Sequence, residues 1–420
     1  MRINRLDISN FRCIYELELN FHERMNILIG VNGSGKSSIL DCLAILLSRL
    51  VGRIRSTKGT GRFFTAGDIT INENATLNSI EISLDIRDKE ESLEWLITKY
   101  RYKEKKQTIS NLDQVKNIAE TIRYELEENK DISIPLIVYY SVNRAVIDIP
   151  LRIRKKHNFE QLSAYDQAVS GGRNDSRIFF EWFRNREDLE NEKRVRQTDY
   201  RDRQLGSVRC AVEKFLPGFS DLRVQRSPLR MTAQKGDQEL NVNQLSDGEK
   251  CLLAMIGDLA RRLAIANPSV SNPLNGKGIV MIDEVDLHLH PSWQRLIIPL
   301  FESTFPNCQF ILTTHSAQVL SHVHEPESIF LLKFADDGIQ ARHPESVYGL
   351  DSNRILEDLM NVPERPGEIK ILIENLFDMI DRKELKKARN QLDNLKQKIG
   401  TDPQITKAEV LIRRMEIIGK

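Results

Sequence analysis

The chain has 420 residues, enough for a large α/β core together with insertions or an appended subdomain. Its 61 lysines and arginines nearly balance 60 aspartates and glutamates, so bulk charge does not indicate a nucleic-acid-binding protein. Five scattered cysteines without CxxC spacing argue against a zinc ribbon or a disulfide framework. Because the sequence has neither an apolar leader nor a run of ~20 apolar residues, we expect a cytoplasmic protein without membrane contact.

The N-terminal segment predicts a hairpin followed by a strand, a loop and a helix. Residues 3–9 and 14–20 alternate apolar and polar side chains, the pattern of paired antiparallel strands. The apolar run Met25–Ile29 predicts a buried strand, and Ser38–Leu50 has the broad apolar face of a helix packed on a sheet. Between them, residues 30–37 read GVNGSGKS, which in this context predicts a phosphate-binding loop.

The chemistry expected of this loop is nucleotide binding. Its glycines permit backbone conformations and close approach that a Cβ would hinder, so N–H groups can converge on the β-phosphate. Lys36 is predicted to contribute a positive charge to the β- and γ-phosphates, and the Ser37 hydroxyl to bind Mg²⁺. The positive end of the helix dipole, at the N-terminus of the helix that follows, should also attract the phosphates. The predicted nucleotide-binding residues here are Gly30, Asn32, Gly33, Ser34, Gly35, Lys36, Ser37 and Ser38.

The middle of the chain predicts a second β layer and a charged helical lobe. Residues 80–86 and 94–102 read as strands of an antiparallel layer, followed by a helix near 115–126 and a buried strand at 132–140. Residues 152–217 are highly charged and interrupted by aromatic side chains, as in a helical lobe with a modest apolar face. The arginines of this lobe, with Lys193, are a candidate basic surface, but the acids among them favour a charge-balanced, solvated lobe.

A second anion-binding segment is predicted at residues 245–249, of sequence LSDGE, which precede the apolar helix Leu252–Leu263. Ser246 and the N–H groups around Gly248 therefore lie at a helix N-terminus, where backbone donors and the helix dipole favour an anion. The nucleotide-binding residues predicted in this segment are Ser246, Gly248 and Glu249. If the fold is the usual one, this segment cannot reach the glycine loop of its own chain. We therefore expect two chains, head to tail, each completing the other's phosphate site.

The apolar run Ile279–Ile282 ends in two acids, Asp283 and Glu284. This is the form of a buried parallel strand that presents carboxylates at its C-terminal edge, where α/β sheets bind ligands. Asp283 is predicted to hold Mg²⁺ through water, and Glu284 to polarise the water that attacks the γ-phosphate. Adjacent strand residues point to opposite faces, so the two acids can take different roles only because the strand ends and turns.

A histidine follows the next apolar strand, Phe310–Leu312. His315 is expected to hydrogen-bond the γ-phosphate or the attacking water. Two further histidine pairs, His288/His290 and His322/His324, lack a third ligand at suitable spacing, so a metal site is not favoured there.

The C-terminal segment predicts three helices, at 367–380, 384–399 and 404–418, separated by turn signals. The expected organisation is a head split into residues 1–151 and 218–349, a helical lobe at 152–217, and a helical tail at 350–420. We expect the tail to contact a partner or another copy of the chain.

These motifs together resemble those of ABC-type ATPases of the SMC, RecF and OLD kind. The resemblance covers about residues 1–345 and includes the opening Ile3–Phe11 with Arg12. The glutamine loop of the family has no clean match, and Asp68 is a weak candidate. In the family's terms the matches are Walker A at 30–37, the signature at 245–249, Walker B at 279–284, the D-loop at Val285 and Asp286, and the H-loop at His315.

The resemblance implies an ABC-ATPase head of the α/β class, with a mixed central sheet and a P-loop. An N-terminal antiparallel β layer, an inserted helical lobe and a small helical tail would complete it. It further implies hydrolysis of ATP with Mg²⁺ as cofactor, catalysis by Glu284 and His315, metal binding by Ser37 and Asp283, and a nucleotide contact by Asp286.

A narrower resemblance is to ATPases of bacterial antiviral defence loci, particularly the Septu (PtuA) type. It implies a regulatory ATPase, assembled as a homodimer or a multiple of dimers, that senses infection and controls a partner HNH-type nuclease. Residues 350–420 are too few and too helical for the Toprim domain of an OLD nuclease, so no nuclease activity of the chain's own is expected. The matching segments are residues 135–140 with Asn143 and Arg144, residues 286–294, residues 348–351, and Arg365 with Pro366.

Two other functions fit the same motifs. A RecF-like DNA-repair ATPase would clamp DNA between paired heads, and the near-zero net charge disfavours it only mildly, because a basic surface can be local. A scaffold that binds ATP without turnover is disfavoured by the intact Lys36, Asp283 and Glu284.

Overall fold

The computed structural model describes residues 1–86, 89–102, 109–129, 131–142, 159–171, 176–335, 338–360 and 362–418. The chain forms two compact units, Met1–Leu350 and Asp351–Lys420. The predicted boundary at 151/152 and the motif residues Asn143 and Arg144 lie outside the described residues. In the described part of the chain, no helix has the length and apolar character that crossing a membrane requires.

Thirteen strands are found in the described ranges, all in the first unit. They are β1 (Arg2–Phe11), β2 (Ile14–Asn20), β3 (Met25–Gly30), β4 (Ala75–Ile86), β5 (Lys89–Tyr100), β6 (Leu136–Tyr140), β7 (Phe219–Arg226), β8 (Leu229–Lys235), β9 (Gln238–Asn241), β10 (Gly278–Ile282), β11 (Cys308–Thr314), β12 (Ile329–Ala335) and β13 (Gly338–Arg342).

In the first unit, helices lie between these strands along the chain, and the second unit is helical in its described residues. They are α1 (Lys36–Arg55), α2 (Asp113–Glu128), α3 (Ser176–Arg196), α4 (Arg203–Phe215), α5 (Asp247–Ala266), α6 (Pro291–Thr304), α7 (Ala317–Leu320), α8 (Ser352–Arg354), α9 (Gly367–Asp381), α10 (Leu385–Ile399) and α11 (Pro403–Ile418). A π-helical turn, Ile355–Leu359, follows α8.

The central sheet has the order β13-β12-β3-β11-β10-β6 and is parallel except for the β12–β13 hairpin. Strands β10 and β11 are buried along their whole length, as expected where helices cover both faces of a parallel sheet. Parallel strands place their carboxyl ends at one edge. The glycine loop after β3, the acids after β10 and the histidine after β11 therefore lie at the same edge, on three adjacent strands.

The predicted antiparallel layer is a four-stranded sheet of order β2-β1-β4-β5. The predicted hairpin is its β1–β2 pair, in register from Arg5↔Asn20 to Phe11↔Ile14. The buried indole of Trp95 on β5 donates a hydrogen bond to the Leu46 carbonyl of α1 at 3.2 Å. The layer is thereby fixed against the helix that follows the glycine loop.

The helical lobe is rich in ion pairs between arginines and buried acids. Arg209 of α4 contacts Glu187 at 3.0 Å and Glu190 at 2.9 Å, both on α3. Arg226 of β7 also contacts Glu187, at 2.9 Å. These pairs fit the charge-balanced interpretation of the lobe better than a continuous basic surface. A third sheet of order β7-β8-β9, which the sequence interpretation did not anticipate, packs beside the lobe.

The second unit is a bundle of three helices around its own apolar core. Leu376, Leu392 and Ala408, one from each of α9, α10 and α11, are among the buried residues of that core. An ion pair between Arg365 and Asp402 at 3.0 Å joins the start of α9 to the start of α11. The three helices predicted for the tail are found with boundaries that differ by one residue at most.

Candidate nucleotide-binding site

The glycine loop connects the end of β3 directly to the start of α1. Gly35, the residue before the first turn of α1, has φ 87°, in the left-handed region that favours glycine. At Gly30, a Cβ would lie 2.5 Å from both the Leu332 carbonyl oxygen and the Ser34 hydroxyl, so only glycine fits. Asn32, Gly33 and Ser37 are exposed, Ser38 is half-buried, and Ser34 is fully buried.

Lys36 is the buried, positively charged residue of this loop. Its ammonium donates hydrogen bonds to the carbonyls of Gly30 at 2.8 Å and Val31 at 3.0 Å. Burial lowers the pKa of the ammonium below its usual value, while three acids of the turn after β10 act to raise it. These acids are Asp283, Glu284 and Asp286. The lysine predicted for the phosphates therefore lies in the electrostatic field of the acids predicted for metal and water.

Thr313, on β11, organises the acid pair. Its hydroxyl donates to Asp283 Oδ1 at 2.6 Å and accepts the Glu284 backbone N–H, also at 2.6 Å. Asp283 is 3% exposed, and its backbone N–H donates to the Tyr140 carbonyl at 2.9 Å. Glu284 has φ 48°, which takes it out of the strand direction. The turn needed for the two acids to act differently is thus present, and Thr313, which the sequence interpretation missed, stabilises it.

A second set of hydrogen bonds joins the D-loop to the segment that carries the histidine. The Thr314 hydroxyl donates to Asp286 Oδ1 at 2.5 Å and accepts the Ser316 N–H at 3.0 Å. The Ser316 hydroxyl in turn donates to the Gln294 side chain at 2.7 Å, and Gln294 donates to the Leu289 carbonyl at 2.9 Å. Asp286 is therefore held by the strand end that precedes His315.

His315 lies half-buried beside the same charged groups. Burial lowers the pKa of its imidazole below the usual value, and the Lys36 charge lowers it further, while the three acids oppose both effects. A neutral imidazole can accept or donate a hydrogen bond near the γ-phosphate. The structure therefore brings Lys36, the acids and His315 together as one cluster.

The signature segment begins α5 with a complete capping box. The Ser246 hydroxyl accepts the Glu249 N–H at 3.3 Å, and the Ser246 N–H donates to Glu249 Oε2 at 2.8 Å. The other carboxylate oxygen, Oε1, accepts from Lys235 at 2.7 Å. Although burial opposes it, these bonds lower the pKa of Glu249. Both oxygens are thus engaged in holding the loop, and the nucleotide contact of Glu249 stays a prediction.

Gly248 is in close contact with the turn after the acid pair. A Cβ at this position would lie 2.3 Å from the His288 carbonyl oxygen, so the backbone of the signature segment rests on that turn. His288 has φ 63° within the turn, and His290 caps α6 through Nδ1, which accepts the Ser292 N–H at 3.3 Å. Both histidines line the turn, as expected.

Asp68, considered for the glutamine loop, has a different environment. Its Oδ2 accepts from the N–H and hydroxyl of Thr65 at 2.9 and 2.8 Å, and its Oδ1 accepts from Arg12 Nε at 3.0 Å. Although burial opposes it, these bonds lower the pKa of the Asp68 carboxyl. In this geometry Asp68 holds Arg12 and a turn.

Comparison with known proteins identifies relatives of this chain. Residues 25–321 match the family described as "AAA domain, putative AbiEii toxin, Type IV TA system". The "Retron Ec83 probable ATPase" of Escherichia coli is 33% identical over 88% of this chain and 78% of its own length. The Septu protein PtuA of Bacillus thuringiensis is 25% identical over 86% of this chain and 85% of its own length.

Comparison with solved structures supports the fold. An SMC head bound to the C-terminal winged-helix domain of ScpA superposes with a TM-score of 0.50 at 17% identity. The match covers 82% of this chain and 98% of that one. The predicted SMC-head-like α/β fold is therefore confirmed, and at this identity the likeness concerns the fold alone.

Proposed function

Since the chain belongs to this AAA-domain family of ATPases, together with the retron ATPases, we propose that it is the ATP-hydrolysing subunit of a bacterial antiviral defence complex. The observation that carries the enzymatic part of the proposal is the cluster at the carboxyl edge of the central sheet. There, Lys36 and His315 both lie close enough to the acids after β10 for the negative charge to oppose the lowering of their pKa values by burial. This arrangement fits phosphoryl transfer to water.

In this proposal each group has a separate task. The backbone of the glycine loop and Lys36 bind the β- and γ-phosphates, and His315 hydrogen-bonds the γ-phosphate. Glu284 accepts the proton of the attacking water or orients it, which requires the turn that Thr313 stabilises.

The oxygen donors present also fit Mg²⁺. Ser37 offers an exposed hydroxyl at the start of α1, and Asp283 a buried carboxylate on a neighbouring strand end. Asp283 would act through water and Ser37 directly. The ion would neutralise charge that develops on the phosphate oxygens.

We further propose that the active site is completed by a second copy of the chain, head to tail. Ser246 and the N–H groups around Gly248 lie at the start of the 20-residue helix α5, which suits an anion. In its own chain this segment packs on the turn at His288. A head-to-tail dimer would bring each signature segment to the γ-phosphate bound by the other chain.

A complementation experiment tests this arrangement. Lys36→Ala removes the phosphate charge from one site, and Ser246→Arg blocks the signature segment, so each variant alone should have almost no ATPase activity. In an equimolar mixture, half of the dimers would contain one intact composite site. We expect recovery of about a quarter of wild-type turnover if the sites act independently. Thermal unfolding of each variant serves as the folding control. A mixture no more active than its separate components would contradict the head-to-tail dimer.

The regulatory part of the proposal concerns a partner. The resemblance to Septu ATPases and the relatedness to Septu PtuA support control of an HNH-type nuclease. Residues 351–420 form a compact unit with a core of their own, and we propose that this unit contacts the partner or another copy of the chain.

Co-expression with the genes that flank this one tests the regulatory function. We expect the purified chain to carry a small nuclease in a stable multimer whose size changes with ATP and Mg²⁺. The Lys36→Ala chain, purified in parallel, should keep its size when nucleotide is added. A wild-type chain that emerges alone and dimerises only with ATP and DNA would instead support the RecF-like clamp.

A further inference from the structure

A lysine of the third sheet lies against the signature segment, residues 245–249. We propose that Lys235 neutralises the buried carboxylate of Glu249, so that this segment can receive the γ-phosphate bound by a second copy of the chain. The inference rests on the proposed ATPase function and on the head-to-tail dimer. It gives the sheet β7-β8-β9 a role in the composite site.

The signature segment carries two acids at the place where an anion has to be received. Asp247 and Glu249 both lie in the first turn of α5. Acids in a first turn stabilise a helix, because they interact favourably with its dipole and cap its N–H groups. The same charges repel a polyphosphate that approaches the helix N-terminus. The segment therefore serves both purposes best when the chain itself balances the negative charge.

The two acids differ in how strongly water screens them. The Asp247 side chain is 71% exposed, and the Lys250 ammonium lies 3.6 Å from its carboxylate in the same turn. Water and salt weaken the field of such an exposed carboxylate. The Glu249 side chain is only 10% exposed. A charge at that depth is screened far less, so its counterion determines the potential that an incoming phosphate meets.

Lys235 is that counterion. Its Nζ donates to Glu249 Oε1 at 2.7 Å, while Oε2 accepts from the N–H and the hydroxyl of Ser246, each at 2.8 Å. These bonds lower the pKa of Glu249 against the effect of burial, so the carboxyl is ionised at neutral pH. In the described part of the chain, Lys235 is the one basic residue that forms an ion pair with this carboxylate.

The third sheet holds Lys235 in place. Lys235 is the last residue of β8 and pairs with Phe219 of β7 and Gln238 of β9. Its ammonium also lies over the Phe219 ring, 4.8 Å from the ring centroid, and the face of an aromatic ring attracts a cation. A strand end that is paired on both sides orders the backbone from which this side chain extends. The sheet thus places one positive charge at the start of α5.

The Ser246 hydroxyl links this charge to the proposed phosphate contact. In the structure it donates to Glu249 Oε2 at 2.8 Å. To donate to a γ-phosphate, the hydroxyl has to leave that carboxylate. Because Lys235 binds the opposite oxygen, it polarises the carboxylate away from Oε2 and weakens the bond to the hydroxyl. Loss of Lys235 should therefore leave a repulsive charge and also hold the hydroxyl more tightly.

The test measures ATP-dependent dimerisation of the full-length Glu284→Gln chain, which is expected to hold ATP with little turnover. Sedimentation velocity with ATP and Mg²⁺ gives the dimer Kd for each added substitution. Lys235→Met should raise this Kd about tenfold, because an uncompensated buried charge then faces the γ-phosphate. Lys235→Arg keeps the charge and should retain the parental Kd. Lys277→Met is the matched control, since Lys277 is also half-exposed and pairs with Asp85 at 2.9 Å, and it should leave the Kd unchanged.

Substitution of Glu249 separates charge neutralisation from simple holding of the loop. Glutamine can keep the capping box, so Glu249→Gln should dimerise at least as tightly as the parent. In the double variant, Lys235→Met with Glu249→Gln, the pair again carries no net charge, and the parental Kd should return. If the ion pair only held the loop, both single substitutions would weaken the dimer and the double variant would stay weak. That result would overturn the proposal.

The outcomes also separate this proposal from the one on which it rests. A Glu284→Gln parent that stays monomeric with ATP and Mg²⁺ would overturn the composite site and this inference with it. A parent that dimerises, with an unchanged Kd in Lys235→Met, would overturn the inference alone. The melting temperature of each chain is the folding control. If Lys235→Met proved unstable, the effect of Glu249→Gln on the Kd would still decide between neutralisation and simple holding.

Discussion

Replacing Lys36 with alanine is expected to reduce ATP affinity by on the order of a hundredfold, because charge-assisted hydrogen bonds to two phosphates are lost. In the chain, the ammonium donates to the carbonyls of Gly30 and Val31 from a buried position. The same charge is balanced by the acids after β10. Calorimetric titration with ATP in the presence of Mg²⁺ measures the effect, and ATPase activity should disappear with binding.

The Lys36 experiment needs a control for lost positive charge. Lys58→Ala removes an exposed lysine from the loop after α1 and should leave ATP affinity unchanged. Alanine at position 36 also leaves two loop carbonyls without their donor, so the melting temperature of each variant should be compared with wild type. A folded Lys36→Ala chain with retained ATP affinity would refute the assignment of the phosphate site.

The second large effect is expected for Glu284→Gln. Glutamine keeps the shape of the side chain but cannot accept a proton, and loss of a general base lowers turnover by roughly two to four orders of magnitude. Binding should persist, because Lys36 and the glycine loop are untouched. The variant should therefore hold ATP in a stable dimer, detected as a larger species on sizing with ATP and Mg²⁺ and as retained nucleotide after desalting.

Glu128→Gln provides the matched control, since Glu128 is an exposed glutamate at the end of α2 and is expected to have no catalytic role. Its turnover and sizing profile should equal those of wild type. Unchanged turnover in Glu284→Gln would remove Glu284 from the mechanism. Lost ATP binding in that variant would instead show that the substitution disturbs the turn that Thr313 holds.

Local patterns in the sequence were sufficient to predict much of this architecture. A buried strand, a glycine-rich loop and an apolar helix follow one another directly between residues 25 and 55, so their contacts are set over short distances along the chain. The tail helices were equally predictable because each has its own apolar stripe. The ends of α1 were predicted less well, because the helix extends from Lys36 to Arg55 and not from Ser38 to Leu50. The helix begins at Lys36, inside the glycine motif, where composition indicates a loop.

Features that depend on distant residues were not predicted. The Thr313 hydroxyl bridges the two acids only because β11 lies beside β10, and a threonine at a strand end carries no signal of that pairing. The capping contacts of Glu249 were not anticipated either, although they are local. Its place three residues after Ser246 is a recognisable capping box, but the signature motif favoured interpreting it as a ligand contact. A short alternation of apolar and polar side chains from Leu222 to Gln225 is the one local signal of the third sheet in β7.

The contact of Gly248 with the His288 carbonyl has a consequence for the proposed dimer. A Cβ on Gly248 would lie only 2.3 Å from that oxygen, so the backbone at the start of α5 packs directly against the turn after the acids. In a head-to-tail pair, the first would touch the partner's nucleotide and the second belongs to the chain's own catalytic site. A shift of one segment would therefore be expected to displace the other, which would give the two proposed sites a direct route of communication.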